Sequence, residues 1–432
     1  MARAEPIVIL GGGFAGVTLA QLLERRLRNC EIVLISQENY ITFNPLLPEV
    51  VGASIFPAHA IAPVRNMLSR TRLLMGQVQA INREQQTVHY NAGSSITGMQ
   101  RYGQLVLALG QRAALGFIPG MDTHGMPLKL LGDALKIRQR LVERMEQANL
   151  TAEPEQRRLL CQFVVVGGGF SGVEIAGEMA DFLRTLVRYY PRVEAGEVHV
   201  TVVHSSDQLL PELAPALGQR AYRAMCRRGI HFLLNRRVIA AEADGIQVRD
   251  PDGNIAKVPA GLIVCTIGNQ PNPLIEQLDL PLSRGRVTTD ATLRVPQTDD
   301  LWALGDCAAV LNTHDNQASP PTAQFAIAQA KQLAANLARH HRGKPLHHPF
   351  HYRSRGMMAT VGHNKGVAKI FGISLWGLPA WLLWRAYYLA KMPTLGRKLR
   401  IYVEWTWGML FPHDITHLRF TGSQEADAGE DR

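Results

Sequence analysis

IVILGGGFAGVTLA, residues 7–20, is the stretch on which the fold turns. Ile7, Val8, Ile9 and Leu10 form a continuous apolar run, as expected of a parallel strand covered on both faces. Gly11-Gly12-Gly13-Phe14-Ala15-Gly16 follows and fits G-x-G-x-x-G. Gly11 permits the tight turn, Gly13 lets the backbone approach a pyrophosphate, and Gly16 lets helix and strand pack closely. The helix start then offers free N–H groups and a positive dipole end to phosphates. EIVLIS, residues 31–36, reads as the next strand and completes a βαβ unit.

The device recurs about 155 residues later, in FVVVGGGFSGVEIAGEM from residue 163. The glycines are Gly167, Gly169 and Gly172, with Phe170 and Ser171 between them. A helix is expected over 173–183 and a strand over 198–203. Two fingerprints imply two dinucleotides, one reducing the other, on a duplicated nucleotide-binding fold. LVLALG (105–110) and LIVCTIG (262–268) are apolar strands ending at Gly110 and Gly268, each expected to close the sheet of its cradle. DDLWALGDCA (299–308) sets Gly305-Asp306 just after a strand. An acid there can accept hydrogen bonds from ribityl or ribose hydroxyls.

The length, 432 residues, allows two or three domains with sizeable cores. The formal charge of +10 favours anionic partners, although the last ten residues, SQEADAGEDR, hold four acids. Five scattered cysteines without a CxxC argue for a reducing compartment and against metal or disulfide scaffolding. No room for a signal peptide is seen before the first strand. Residues 370–384 are uncharged but interrupted by Pro379, and fifteen residues fall short of the ~20 that a spanning helix needs. TAEPEQRR (151–158) reads as a polar connector. HHRGKPLHHPFH (340–351) reads as a solvated loop, with no metal assigned.

Leu375, Trp376, Leu378, Trp381, Trp384, Tyr387 and Tyr388 precede Lys391, Arg397, Lys398 and Arg400. Trp405, Trp407 and Phe411 follow. Clustered aromatics beside a basic run read as an interfacial helix pair lying on a membrane. An internal core or a dimer interface is the alternative. Nucleic acid is not expected.

SQENYITFNPLLPEVVG, residues 36–52, has no cysteine, so a CxxxxC dithiol relay is ruled out there. With two cradles and the Gly305-Asp306 pair, the chain resembles the two-dinucleotide-binding flavoproteins. Asn39-Tyr40, Phe43 and 44–49 (NPLLPE), PPTAQFAIAQ (320–329) and YRSRGMMATVGHNKGVAKIFG (352–372) are similar to segments of the type II NADH dehydrogenases. The resemblance covers all but the acidic tail.

That resemblance implies FAD held by Gly11, Gly13, Phe14, Ala15, Gly16, Ser36, Asn44, Gly110, Gly305, Asp306, Ala323 and Gln324. NADH would be held by Gly167, Gly169, Phe170, Ser171, Gly172, Glu174, His204 and Gly268. Glu174 would sit near nicotinamide and flavin, and Gln324 and Gln329 near the quinone. Three positions depart from the family pattern. The second glutamine stands at 329 where 328 is expected, Ser36 replaces an acid, and so does His204. The last leaves NADPH open, because an acid there would repel a 2′-phosphate.

The expected fold is α/β: two Rossmann-like domains, the flavin domain split in sequence (1–115 and 285–345), an NAD(P)H domain (116–284) and a C-terminal amphipathic membrane module (346–432). The expected activity is electron transfer from NADH to a membrane quinone without proton pumping. It would occur peripherally on the cytoplasmic face of the inner (plasma) membrane, with a homodimer left open. A sulfide:quinone reaction would need a cysteine pair, for which only Cys161 and Cys307 are conceivable. A flavoprotein with a binding or signalling role is the reading of another class.

Overall fold

The computed structural model describes residues 5–93, 96–346, 349–411 and 414–416. The acidic tail, His347 and His348 lie outside these. The chain divides into two compact units. One comprises Met1–Phe43, Ile61–Ala113 and Asn269–Arg355; the other comprises Asn44–Ala60, Ala114–Gly268 and Gly356–Arg432. Thus 44–60 and the chain after 356 group with the second cradle. The sequence boundaries instead put 44–60 with the first cradle and set 346–432 apart.

The first unit is built on a parallel sheet in the order Leu301–Ala303, Gln104–Leu107, Ile7–Leu10, Ile32–Ser36, Arg72–Met75. Ile7 pairs with Ile32 on one side and with Gln104 on the other. Gln104–Leu107 therefore does not close the sheet. The chain returns with Leu301–Ala303 to pair outside it. Helix Phe14–Arg26 packs on helix Ala323–His340. The latter buries Ala326, Ala330, Leu333 and Leu337, a helical spacing that faces the core.

The second unit repeats the plan in the order Gly125–Pro127, Leu262–Cys265, Gln162–Val166, His199–Val203, Ile230–Leu233, again all parallel. Leu262–Cys265 is likewise internal to its sheet. Residues 151–158 are not a plain connector: helix Pro154–Leu160 starts there, with proline at its first turn, where the missing N–H costs nothing. Helix Leu131–Leu150 was not singled out in the sequence.

The same unit carries an antiparallel sheet of Gly356–Thr360, Gly366–Ile370 and Ile373–Gly377. Helices Leu378–Lys391 and Leu395–Leu410 follow. Among the described residues no helix is long and apolar enough to cross a membrane. The aromatic cluster splits between two environments. Trp381, Trp384 and Trp405 are buried, whereas Trp376, Leu378, Leu382, Trp407 and Phe411 are exposed. Helical periodicity causes the split, since 381 and 384 share a face that 378 and 382 do not.

Candidate active site

The two glycine cradles match position by position. Gly11 has φ +111° and Gly167 φ +116°, conformations that side chains rarely adopt. A Cβ on Gly16 would lie 2.0 Å from the Gly11 carbonyl oxygen, and one on Gly172 would lie 1.8 Å from that of Gly167. Gly13 and Gly169 instead face open space, with no side-chain cap on the helix that starts beside each. Each helix therefore presents uncapped N–H groups and its dipole to an open position, which is what a pyrophosphate requires.

Phe14 and Ala15, then Phe170 and Ser171, form the first turns of these helices. In the first unit, Phe14 packs edge-on against Phe43 at 5.1 Å. Gly305, at φ +75°, comes close to Ala15. Its N–H donates to Gln329 Oε1 at 2.7 Å, and Gln329 is fully buried. Gln329 thus fixes the turn carrying Asp306 rather than facing outward. Gln324 lies one turn earlier, beside Ala323, and its Oε1 accepts from the Tyr352 hydroxyl at 2.7 Å and the Arg355 N–H at 3.0 Å. Gly110 is left-handed and faces open space.

The residues ending the second strand of each unit occupy the same place. Ser36 and His204 are what a Cβ on Gly12 and Gly168 would meet. The Ser36 hydroxyl donates to the Glu38 carbonyl at 2.7 Å, so its oxygen but not its proton remains for a ribose. His204 Nδ1 accepts from the Gly168 N–H at 3.1 Å. The ring proton therefore sits on Nε2, which is buried with no partner among the described residues. Burial lowers the pKa of His204, so the ring is neutral at pH 7. Gly268 packs against Phe117 and accepts from the Ala114 N–H. Asn44 belongs to the second unit, where its amide donates to the Lys129 carbonyl at 3.2 Å.

Glu174 is buried one turn into the second cradle helix. Its Oε1 accepts from the Thr360 N–H and from Trp384 Nε1, both at 3.1 Å. Desolvation pushes its carboxyl up to about 8. Two more glutamates share this interior. Glu178 accepts from the Ser54 hydroxyl at 2.9 Å, and Glu49 accepts from Trp405 Nε1 at 2.8 Å. Burial raises both carboxyls, and the Arg385 guanidinium opposes the shift in each. Arg385 itself stacks on Trp381 at 3.7 Å. The Arg228 guanidinium opposes the shift of Glu178 as well, whereas Glu174 is held by Thr360 and Trp384 and feels the Glu49 charge, so the three buried carboxyls cannot all ionise at neutral pH.

Sequence reasoning missed Glu49, Glu178 and Arg385. The signal available was the i, i+4 spacing of two acids, Glu174 and Glu178, in a helix otherwise rich in buried apolar residues. The segment 44–60 and the last helix are tied together as well: Glu404 binds His59 Nδ1 at 2.6 Å, and Arg397 donates to the Ala58 carbonyl. The cysteines are free, and Cys161 and Cys307 are buried with thiols pushed up to about 11. Neither offers a thiolate at neutral pH.

Residues 5–330 match the pyridine nucleotide-disulphide oxidoreductase family. The type II NADH:quinone oxidoreductase Ndh of Mycobacterium tuberculosis is 31% identical over 94% of this chain and 88% of that protein. The chain belongs to the type II NADH:quinone oxidoreductases of the pyridine nucleotide-disulphide oxidoreductase family. An internal alternative NAD(P)H-ubiquinone oxidoreductase of Solanum tuberosum mitochondria is 29% identical over 95% of this chain and 88% of that one. The solved structure of NDH2 from Plasmodium falciparum in complex with NADH superposes with a TM-score of 0.88 at 20% identity. It covers 96% of this chain and 100% of that one. The CxxxxC pair is absent from residues 36–52, and of the five cysteines Cys161, Cys265 and Cys307 are buried, Cys30 is half-buried and Cys226 is exposed.

Proposed function

We propose that the protein transfers electrons from NADH through FAD to a membrane quinone, without pumping protons. The paired cradles carry this reading, in a chain belonging to the type II oxidoreductases. The Gly11–Gly16 cradle and Asp306 would hold FAD; the Gly167–Gly172 cradle, His204 and Gly268 would hold the nicotinamide nucleotide. When bound, these groups supply the hydride and electron chemistry, and the protein supplies position and electrostatics.

The chain's own residues have distinct parts. Gln329 keeps the Asp306 turn in place. Gln324 is a polar contact for a quinone oxygen, oriented through Tyr352. Glu174, buried and bonded by Trp384 Nε1, holds a proton at neutral pH and so serves as a proton store for quinone reduction. The neutral His204 bears no charge that would repel a 2′-phosphate, which keeps NADPH as a second substrate.

The exposed face of the last two helices supports peripheral membrane binding; the side proposed is the cytoplasmic face of the inner (plasma) membrane. The test is oxidation of NADH and NADPH by the FAD-loaded protein on liposomes, with and without a short-chain quinone. Rapid quinone-dependent NADH oxidation is expected. Flavin reduction with no effect of quinone on turnover would refute the acceptor assignment.

A further inference from the structure

We propose that a basic cavity on the second unit binds the phosphate headgroup of an anionic phospholipid; this rests on the membrane reading above. Helix Pro215–Cys226 and its cap carry Arg220, Arg223 and Arg227. The spacings of three and four residues align their side chains on one helical face. Lys365, from the turn between Gly356–Thr360 and Gly366–Ile370, lines the same cavity. The cavity measures about 270 Å³, and no acid lines it. None of the four cations takes part in an ion pair among the described residues.

Like charges three and four residues apart on a helix repel, and stability alone gives no reason to align them. The helix dipole favours cations near the C-terminal end, but it does not reach Lys365, which comes from the other wall. Four unpaired cations around one concavity fit an anion, and arginine matches phosphate oxygens in pairs.

The apolar surroundings select the source of that anion. Arg220 lies 3.8 Å over the Trp376 ring, and Trp376 forms part of the cavity wall. Trp376 is 50% exposed, with Phe371 at 80%, Ile373 at 65% and Leu378 at 49% on the same strand, its turn and the helix that follows. One indole thus joins a cation cluster to an exposed apolar surface. A phosphodiester in the cavity would leave its acyl chains along that surface. The cavity is smaller than the ~300–1,000 Å³ of sites that enclose drug-sized ligands, which disfavours a free nucleotide.

The test is flotation of the full-length, FAD-loaded protein with phosphatidylcholine vesicles and with vesicles containing one quarter phosphatidylglycerol, at equal ionic strength. Binding to the neutral vesicles reports the apolar face, and the gain on adding the anionic lipid reports the cavity. Each cation near an anionic surface is worth ~1 kcal/mol, or about fivefold. The Arg220→Gln, Arg223→Gln, Arg227→Gln variant is therefore expected to lose at least tenfold of the anionic gain, with neutral binding and NADH oxidation by a soluble quinone unchanged. An intact gain overturns the proposal. So does a gain lost only in an Arg397→Gln, Lys398→Gln, Arg400→Gln variant. Binding of inorganic phosphate to the protein without vesicles, together with no gain on adding the anionic lipid, would assign the cavity to free phosphate instead. Failure to bind either vesicle would sink the membrane reading itself.

Discussion

The two cradles share one backbone and differ in what their helices carry behind it. Gly11–Gly16 and Gly167–Gly172 superimpose in role, down to the uncapped helix start and the residue covering the middle glycine. Counting on from the last glycine, the first helix has Thr18 and Leu22 where the second has Glu174 and Glu178. On the proposed function the glycines answer to a pyrophosphate, which is the same for every dinucleotide. The positions behind them answer to what each unit packs against. In the second unit these are 44–60 and the chain after 356, which supply Glu49, Ser54, Thr360, Trp384 and Arg385. The two units share the glycine device, and one turn further along only the second carries buried acids.

The largest expected effect breaks the cradles one at a time. In Gly16→Ala and Gly172→Ala the new Cβ meets a backbone carbonyl oxygen at 2.0 and 1.8 Å, a contact that side-chain motion cannot relieve. Gly16→Ala is expected to purify with less than about a tenth of the wild-type flavin absorbance. Gly172→Ala should retain its flavin yet be reduced by NADH about a hundredfold more slowly in stopped flow, a loss of ~2.7 kcal/mol in transition-state binding. The opposite pattern would reverse the assignment of the two nucleotides.

A smaller effect tests the divergence. A carboxyl at about 8 in the fold and near 4.5 when unfolded keeps its proton in the folded state across that interval. The folded protein then binds more protons than the unfolded one, so stability falls as pH rises, by ~1.4 kcal/mol per pH unit per proton. The contribution is fully present below about pH 4.5 and gone above about pH 8. Glu174→Gln keeps an oxygen for the Thr360 N–H and Trp384 Nε1 but cannot ionise. Its thermal midpoint should drop less between pH 5.5 and 8 than that of the wild type. Identical drops would show that Glu174 is already ionised at the lower pH.

Legibility from sequence followed the same divide. The cradles were readable because a strand, three glycines and a helix dictate each other locally, and 7–20 contains all of them. The sheet edges were not: Leu301–Ala303 and Gly125–Pro127 pair beside strands far away in sequence, and no local pattern records that partner. The buried glutamates escaped for a related reason. Glu174 was singled out through its resemblance, but the raised carboxyl depends on burial and on the charge of Glu49, 125 residues away, against the opposing bond from Trp384, 210 residues away. Gln329 looked misplaced by one position along its helix. The 100° turn that this implies is what aims it inward at Gly305.

The smallest expected effect concerns the residue over the middle glycine, where Ser36 and His204 differ in chemistry but not in place. Ser36 spends its proton on Glu38, whereas His204 spends an acceptor on Gly168 and keeps a buried Nε2–H. His204→Asp would preserve the bond to the Gly168 N–H, since a carboxylate oxygen accepts it equally well, and would add a second oxygen for a ribose hydroxyl. It would also place a negative charge where a 2′-phosphate would lie. The ratio of kcat/KM for NADH to that for NADPH is expected to rise about tenfold, ~1.4 kcal/mol of discrimination, with flavin content unchanged. His204→Ala serves as the counterpart: it strips the Gly168 N–H of its acceptor, which costs ~1–3 kcal/mol if that group stays dry, and should weaken both nucleotides alike. If Asp and Ala change the ratio equally, charge at 204 does not choose the cofactor. The neutral ring then serves only to hold the loop, as the Ser36 hydroxyl does in the first cradle.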